Sequence, residues 1–355
     1  MLVAVFGDAH AHAEALEAVI DAADISGARE CWSLGDMVGG GPDPERAVAL
    51  TRERCTVALA GNHDYGATGS VDLLRLGEPD SAAHRSIELA CARLSDSDVQ
   101  WLRSRKPAAR REGVQCWHGS PRNPVWEFVG PANAGACLAI QRAPLGLIGH
   151  THVAGAWHAT PRRGARRVRV RPDVPLDIST GKWLLNPGAV GAPAPSPLGW
   201  WDALETQAAD GAFWLLLDLA EHTATWRRAP YDPAPARGRA RALGIDDAES
   251  PRRSDRANPR HIGPRSPPTP ARGGRRRLGS DRLPGGMGRL RPEPQATALQ
   301  PCRRCHRPAP LNSPPARYRE LITEEVGLRR SLPWTAARCT SSGRSRPRRR
   351  ASSGD

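Results

Sequence analysis

Short apolar runs alternate with stretches of helical period over the first 249 residues. Leu2–Phe6, Cys31–Leu34, Thr56–Ala60, Val114–Trp117, Leu145–Ile148, Trp183–Leu185 and Ala212–Leu219 are continuous and apolar, the pattern of strands buried on both faces. Between the early runs, Ala13–Ile25, Pro44–Arg54 and Ala82–Leu94 carry helical periodicity. Ser95 is placed to cap a further helix running to Ser104, with Asp96 and Asp98 in its first turn. Strands alternating with helices predict an α/β domain with a largely parallel sheet. The later strands follow one another with less helix between them, which predicts a mixed sheet or a second one.

Beyond residue 249 the pattern collapses. Residues 250–355 hold 25 Arg, 16 Pro and 10 Gly, against 11 Leu, Ile, Val and Phe together. Such a segment cannot bury enough apolar surface to offset its ordering entropy, so it is expected to be disordered. The division predicted is thus a domain over 1–249 and an Arg/Pro/Gly-rich tail over 250–355. The chain has 49 Arg but only Lys106 and Lys182 as lysines, a skew that points to a GC-rich coding sequence. A frameshifted or readthrough origin for the tail is therefore a second expectation.

Charge follows the same boundary. The net +14 of the chain is the sum of −4 over residues 1–249 and +18 over residues 250–355. A strongly basic chain suggests nucleic-acid contact, and here that expectation belongs to the tail alone. No run approaches the roughly 18 apolar residues of a membrane span. The apolar Leu2–Phe6 has no basic flank and meets Gly7-Asp8 at once, a first strand rather than a signal peptide, so a cytoplasmic location is expected. Eight irregularly spaced cysteines do not form a disulfide framework.

Five polar blocks follow the apolar strands: Gly7-Asp8-Ala9-His10, Gly35-Asp36, Gly61-Asn62-His63-Asp64, His118-Gly119 and Gly149-His150-Thr151-His152. Each falls where an α/β sheet carries its functional loops, at the carboxyl ends of strands. Asp8/His10 and His150/His152 are spaced i, i+2, which in extended backbone aims both side chains the same way. A cluster of His, Asp and Asn without cysteine suits borderline to hard divalent metals. Seven such donors exceed one ion's needs and fit two ions sharing a carboxylate, an arrangement that clamps an in-line phosphoryl displacement.

The five blocks, in this order, resemble those of the calcineurin-like metallophosphoesterases over roughly residues 1–240. The likeness narrows to the small bacterial predicted phosphodiesterases through the run from Gly35 to Pro44 and through His118-Gly119-Ser120-Pro121. Leu185-Asn186-Pro187-Gly188 and Ala229-Pro230-Tyr231-Asp232 extend it. The resemblance implies a two-sheet α/β/β/α sandwich with metals at the sheet edges. It implies that Asp8, His10 and His152 hold one metal, that Asn62, His118 and His150 hold the other, and that Asp36 bridges both. His63 would be the catalytic histidine, with Asp64 orienting its imidazole. Two divalent ions are implied, manganese first, with iron, zinc or nickel as alternatives. The expected activity is phosphodiester hydrolysis by a metal-bridging hydroxide, with His63 assisting the leaving group. A phosphomonoesterase, a dinucleoside polyphosphate hydrolase and a protein phosphatase are the alternatives within the superfamily. The chain departs from the family pattern at His12, at Gly40 and at Ala189-Val190-Gly191-Ala192-Pro193, none of which is a ligand position.

Other features carry two readings. His12 and His158 are expected at a pocket rim or on the surface. Asn186 is expected to support a turn before Pro187 rather than line the site. From Arg167 to Arg171 arginine alternates with Val168 and Val170, the pattern of an edge strand with one wet face. The other reading of these arginines is a phosphate-facing hairpin. Cys302-Arg303-Arg304-Cys305-His306 matches a haem-attachment string but lies in the tail, and the tryptophans are read as core. The expected partner is a small phosphoester substrate, without membrane, with a weak nucleic-acid contact through the tail. A nucleic-acid-binding protein acting through that tail, and a catalytically silent metal-binding regulator, are the rivals from other classes.

Overall fold

The computed structural model describes residues 1–191 and 211–246, which form two six-stranded sheets flanked by helices. The first sheet is built on β1 (Leu2–Phe6), β2 (Glu30–Ser33) and β3 (Cys55–Ala58), which run parallel. It continues antiparallel through β11 (Ala212–Asp218), β12 (Thr223–Ala229) and β9 (Leu176–Asp177), in the order β3-β2-β1-β11-β12-β9. The second sheet has the order β4-β5-β6-β10-β7-β8, with β4 (Ala108–Arg111), β5 (Val114–Trp117), β6 (Leu145–Ile148), β10 (Lys182–Asn186), β7 (Gly155–Thr160) and β8 (Arg163–Val168). Strands β5, β6 and β10 are parallel, and β4, β7 and β8 pair antiparallel.

The sheets meet through one apolar core. Val3 and Val5 of β1 point into it, with Trp32, Leu34, Val114, Leu147, Ala156, Leu185, Leu215 and Trp226. The alternate residues Ala4 and Phe6 face the other way, onto helix α1 (Ala13–Ile25). That alternation is the period of two expected of a strand covered on both faces. Helix α1 offers Leu16, Val19, Ile20 and Ala23 at spacings of three and four, a stripe that fits the sheet. Trp226 is fully buried, and its indole N–H donates to the Asn186 carbonyl at 2.8 Å, joining β12 of one sheet to the end of β10 in the other.

Helix starts follow their capping chemistry. Pro44 opens α2 (Pro44–Arg54), where a missing N–H costs nothing. Ser81 Oγ accepts from His84 N ahead of α4 (Ala82–Arg93), and Ser95 Oγ accepts from Asp98 N ahead of α5 (Asp96–Ser104). The shorter helices are α3 (Asn62–Ala67), α6 (Ala134–Ile140) and α7 (Ala234–Ala242). Among the described residues no helix is long and apolar enough to cross a membrane.

The predicted α/β alternation is present, and the second sheet is separate rather than an extension of the first. Strand β8 is an edge strand as expected, but it covers Arg163–Val168, so Arg169 and Arg171 lie beyond it. The tail over 250–355, its cysteine string and Ala192-Pro193 fall outside the described residues.

Candidate metal centre

The polar blocks converge at the carboxyl ends of β1, β2, β5 and β6 and at the start of α3. Asp8, His10, Asp36, His150 and His152, five of the seven predicted ligands, have φ between 47° and 65°. Non-glycine residues avoid this left-handed region at a cost of about 1–2 kcal/mol each, and such outliers gather at functional sites. The core beneath the loops holds the strain in place.

Hydrogen bonds aim the side chains. His10 Nδ1 donates to the Gly39 carbonyl at 2.9 Å, so its Nε2 carries the lone pair toward His152 Nε2, also at 2.9 Å. His118 Nδ1 donates to the Leu34 carbonyl, which leaves Nε2 as an acceptor. That atom faces Asn62 Oδ1 at 3.0 Å, His150 Nδ1 at 3.2 Å and Asp36 Oδ2 at 3.4 Å. Asp36 Oδ1 accepts from His63 N, so the carboxylate keeps Oδ2 for both sides, 3.8 Å from His10 Nε2. Asp8 accepts from His150 N on both oxygens at 3.1 Å and stands 3.7 Å from His152 Nε2.

Three groups of donors could each hold an ion: Asp8 with His10 and His152, Asp36 with His118 and His150, and His10 with Asp36 and His63. Asp36 belongs to the last two. Lone pairs of His118, Asn62 and Asp36 that face one another repel unless a cation lies between them, so the donor set fits divalent metal.

Burial sets the protonation. Desolvation lowers the histidines, His118 to about 4 and His63, His150 and His152 well below their ordinary value. Neutral imidazoles are what a metal requires. The carboxyls move the other way: burial pushes Asp8 well up, with repulsion from Asp36 second, and it raises Asp36 itself to about 6. Both would shed protons on binding a cation.

The roles of Asp64 and His158 change. Asp64 does not touch the His63 imidazole: its Oδ1 accepts from Met37 N and Val38 N, and its Oδ2 from Gly61 N. It ties the Asp36 loop to the start of α3, and His63 Nδ1 is buried with no hydrogen-bond partner among the described residues. His158 is a core residue, 8% exposed and stacked on Trp183 at 4.1 Å. His12 stands at the head of α1, half-buried, outside the metal-capable groups. Asn186 is structural as expected, but its load is the metal loop, since its Nδ2 donates to Gly149 O and Thr151 Oγ1. Arg167 lines a cavity beside Thr151 of only about 30 Å³, room for one water and not for a phosphate.

Three contributors escape sequence reasoning. Phe128 stacks on the His150 ring at 4.1 Å and 10°, and that ring is also tied to the Trp126 backbone. Gly39, at φ +80°, lies under His63, where a Cβ would come within 2.5 Å of Nδ1. Gly61 leaves the space that Asp36 fills, since a Cβ there would lie 2.0 Å from Oδ1. The glycine in each block is a signal for the last two; nothing in the sequence marks Phe128.

Two mixed sheets packed face to face, with seven His, Asp and Asn donors at their edges, six of them buried, define the class of metal-dependent phosphoester hydrolases. The chain belongs to the calcineurin-like phosphoesterase superfamily, whose domain matches residues 1–201. It is similar to the crystal structure of a metallophosphoesterase from Sphaerobacter thermophilus, at 27% identity and a TM-score of 0.57 over 70% of this chain and 96% of that one. The hypothetical protein PH1004 from Pyrococcus horikoshii shares the fold, at 18% identity and a TM-score of 0.51 over 69% of this chain and 94% of that one. In sequence, the uncharacterized protein MJ0912 of Methanocaldococcus jannaschii is 28% identical over 198 residues, 54% of this chain and 77% of that protein.

Proposed function

We propose that this protein hydrolyses phosphodiesters with two divalent metal ions, manganese first among them. The observation that carries the reading is Asp36: one carboxylate whose free oxygen serves two groups of neutral histidines, with His63 beside it. Asp8, His10 and His152 hold one ion in this reading, and Asn62, His118 and His150 the other. Two such ions, when bound, supply an acidified water and draw charge from the phosphoryl oxygens.

The chain's own residues do the rest. Gly39 and the His10 ring, 4.6 Å away and edge-on, confine the His63 imidazole. Burial holds that ring neutral, and its Nδ1 has no partner among the described residues. The neutral tautomer with the proton on Nε2 leaves only a lone pair unsatisfied, so Nε2–H is the group offered to a phosphoryl or leaving-group oxygen. Asp64 keeps the loops that carry Asp36 and His63 in register. The diester reading rests on the likeness of the Gly35–Pro44 and His118–Pro121 runs to the small bacterial predicted phosphodiesterases.

The test compares bis-p-nitrophenyl phosphate with p-nitrophenyl phosphate as substrates of the full chain in Mn²⁺. The diester is expected to turn over faster, with activity lost in Asp36→Ala and His63→Ala. A faster monoester would replace the diester reading with a phosphomonoesterase one. No turnover of either, with metal bound, would favour the silent regulator.

A further inference from the structure

A second concentration of charge lies at the opposite end of β7 from the metal loops. Strand β7 starts just after His152, and its six residues span roughly 16 Å at about 3.3 Å each. At the far end, His158, Thr160, Arg162, Arg163, Gly164 and Arg166 line a cavity of about 360 Å³. That falls within the roughly 300–1,000 Å³ typical of ligand sites, whereas the cavity beside Thr151 holds one water.

A β-bulge builds this cavity. The pairing of β7 with β8 runs His158↔Arg166 and then Thr160↔Arg163, so Gly164 and Ala165 together oppose Ala159. In a regular strand, residues 163 and 166 would point to opposite faces. The extra residue reverses the alternation and brings both guanidinium stems to one side, and glycine is the residue that marks such bulges. The floor is firm: His158 is 8% exposed, stacks on Trp183 and hydrogen-bonds the Thr180 carbonyl at 3.1 Å. Thr160 Oγ1 accepts from Arg163 N, which leaves its hydroxyl hydrogen to donate into the cavity.

These arginines also differ from a group of others in the fold. Arg46, Arg54, Arg93, Arg111, Arg227, Arg239 and Arg241 are each held by a carboxylate. No carboxylate among the described residues pairs with Arg162, Arg163 or Arg166. Charged edge residues and bulges both guard a sheet edge, but guarding requires no cavity. Three arginines lining one cavity, with no carboxylate partner among the described residues, match an anion with several oxygens spread along a chain.

We propose that the bulged β7–β8 hairpin is a binding site for an oligophosphate chain, separate from the metal centre. The ligand chemistry is two or three linked phosphates, supplied by a nucleoside polyphosphate or by inorganic polyphosphate. The proposal does not rest on the hydrolytic reading, because its readout is binding without metal.

The test is calorimetric titration of tripolyphosphate into the full chain, stripped of divalent metal by chelator and dialysis. Wild type is compared with Arg163→Gln/Arg166→Gln and with Arg169→Gln, a control on the same chain segment outside the cavity. The double variant is expected to bind about 10-fold or more weakly, and the control to change by less than about twofold. All three proteins carry the same basic tail, so its contribution cancels. ATP binding at least as tightly as tripolyphosphate would identify a nucleoside polyphosphate as the source, and weaker ATP binding the inorganic chain. The proposal is overturned if the double variant binds like wild type, or if the control loses as much as the double variant. It is also overturned if a single-stranded oligonucleotide binds more tightly than tripolyphosphate and depends equally on all three arginines, which would make the hairpin a nucleic-acid track. Unchanged thermal midpoints in the variants confirm that folding is not what was altered.

Discussion

Charge is handled in opposite ways at the two ends of β7. At the Gly155 end, carboxylates and imidazoles are buried, aimed by backbone hydrogen bonds and held in left-handed backbone by a dense core. At the Thr160 end, arginines stand in solvent with no carboxylate partner among the described residues, arranged by a bulge. A buried donor set costs stability until a cation joins it, so it must be over-determined by its surroundings. An exposed cluster costs little, and a single extra residue can arrange it.

The sharpest break of this contrast is Asp36→Ala, which removes the oxygen shared by two donor groups. Turnover of bis-p-nitrophenyl phosphate is expected to fall by about 10³-fold or more, with bound metal reduced in elemental analysis. His63→Ala is expected to lower kcat by about 10²–10⁴-fold while metal content stays near wild type. Loss of metal in His63→Ala would instead make it a ligand, as its place beside His10 and Asp36 allows.

Next in size is Gly61→Ala, whose Cβ would stand 2.0 Å from Asp36 Oδ1. A loss of about 1–3 kcal/mol is expected from the forced movement, read as a lower thermal midpoint together with weaker Mn²⁺ binding.

The protonation pattern predicts a pH dependence with a definite sign. Asp36 is raised to about 6 and Asp64 to about 8, chiefly by burial. The metal-free folded protein therefore holds protons that the unfolded chain releases near pH 4, and these carboxyls reduce its stability as pH rises from there through 6 and 8. His118, lowered to about 4, acts the other way, reducing stability as pH falls from the ordinary histidine value toward 4. Mn²⁺ affinity is expected to strengthen as pH rises through 6, with protons released on binding. Titrations in buffers of different ionisation enthalpy would show this, and an affinity flat across that window would refute it.

Phe128→Ala is expected to weaken metal affinity by about 10-fold, since the ring packs on a donor rather than supplying one. The smallest effect belongs to the exposed end: Arg169→Ala should shift stability by less than about 0.5 kcal/mol.

Several elements are legible in the amino-acid pattern itself. Strands β1, β5 and β6 and helices α1 and α2 match their expected bounds residue for residue, because each is a long or continuous apolar pattern with a clear stop. The seven proposed ligands are legible because block order and the neighbouring glycines mark them. Strands β7 and β12 escape because tryptophan, histidine, threonine and arginine mix on them, and pairing with neighbours stabilises them more than a hydrophobic run does. Helix α3 escapes because it starts inside a polar block that reads as a loop. The family resemblance implies that Asp64 orients the His63 imidazole, yet in a helix neighbouring residues point apart, and Asp64 turns back to the N-terminal N–H groups.

The amino-acid order settles which groups are present and the spacing that brings them to the ends of strands, because strand period and glycine-bearing turns act locally. Tertiary packing settles which oxygen of Asp36 stays free, which nitrogen of each histidine faces inward and how the arginines share a cavity. Those outcomes depend on hydrogen bonds and packing between residues far apart in the chain, such as His118 with Leu34 and His150 with Asp8. The +14 balance is divided in the same way: its concentration in the tail can be counted along the chain, but the shared cavity of the hairpin arginines becomes visible only once strands have been paired.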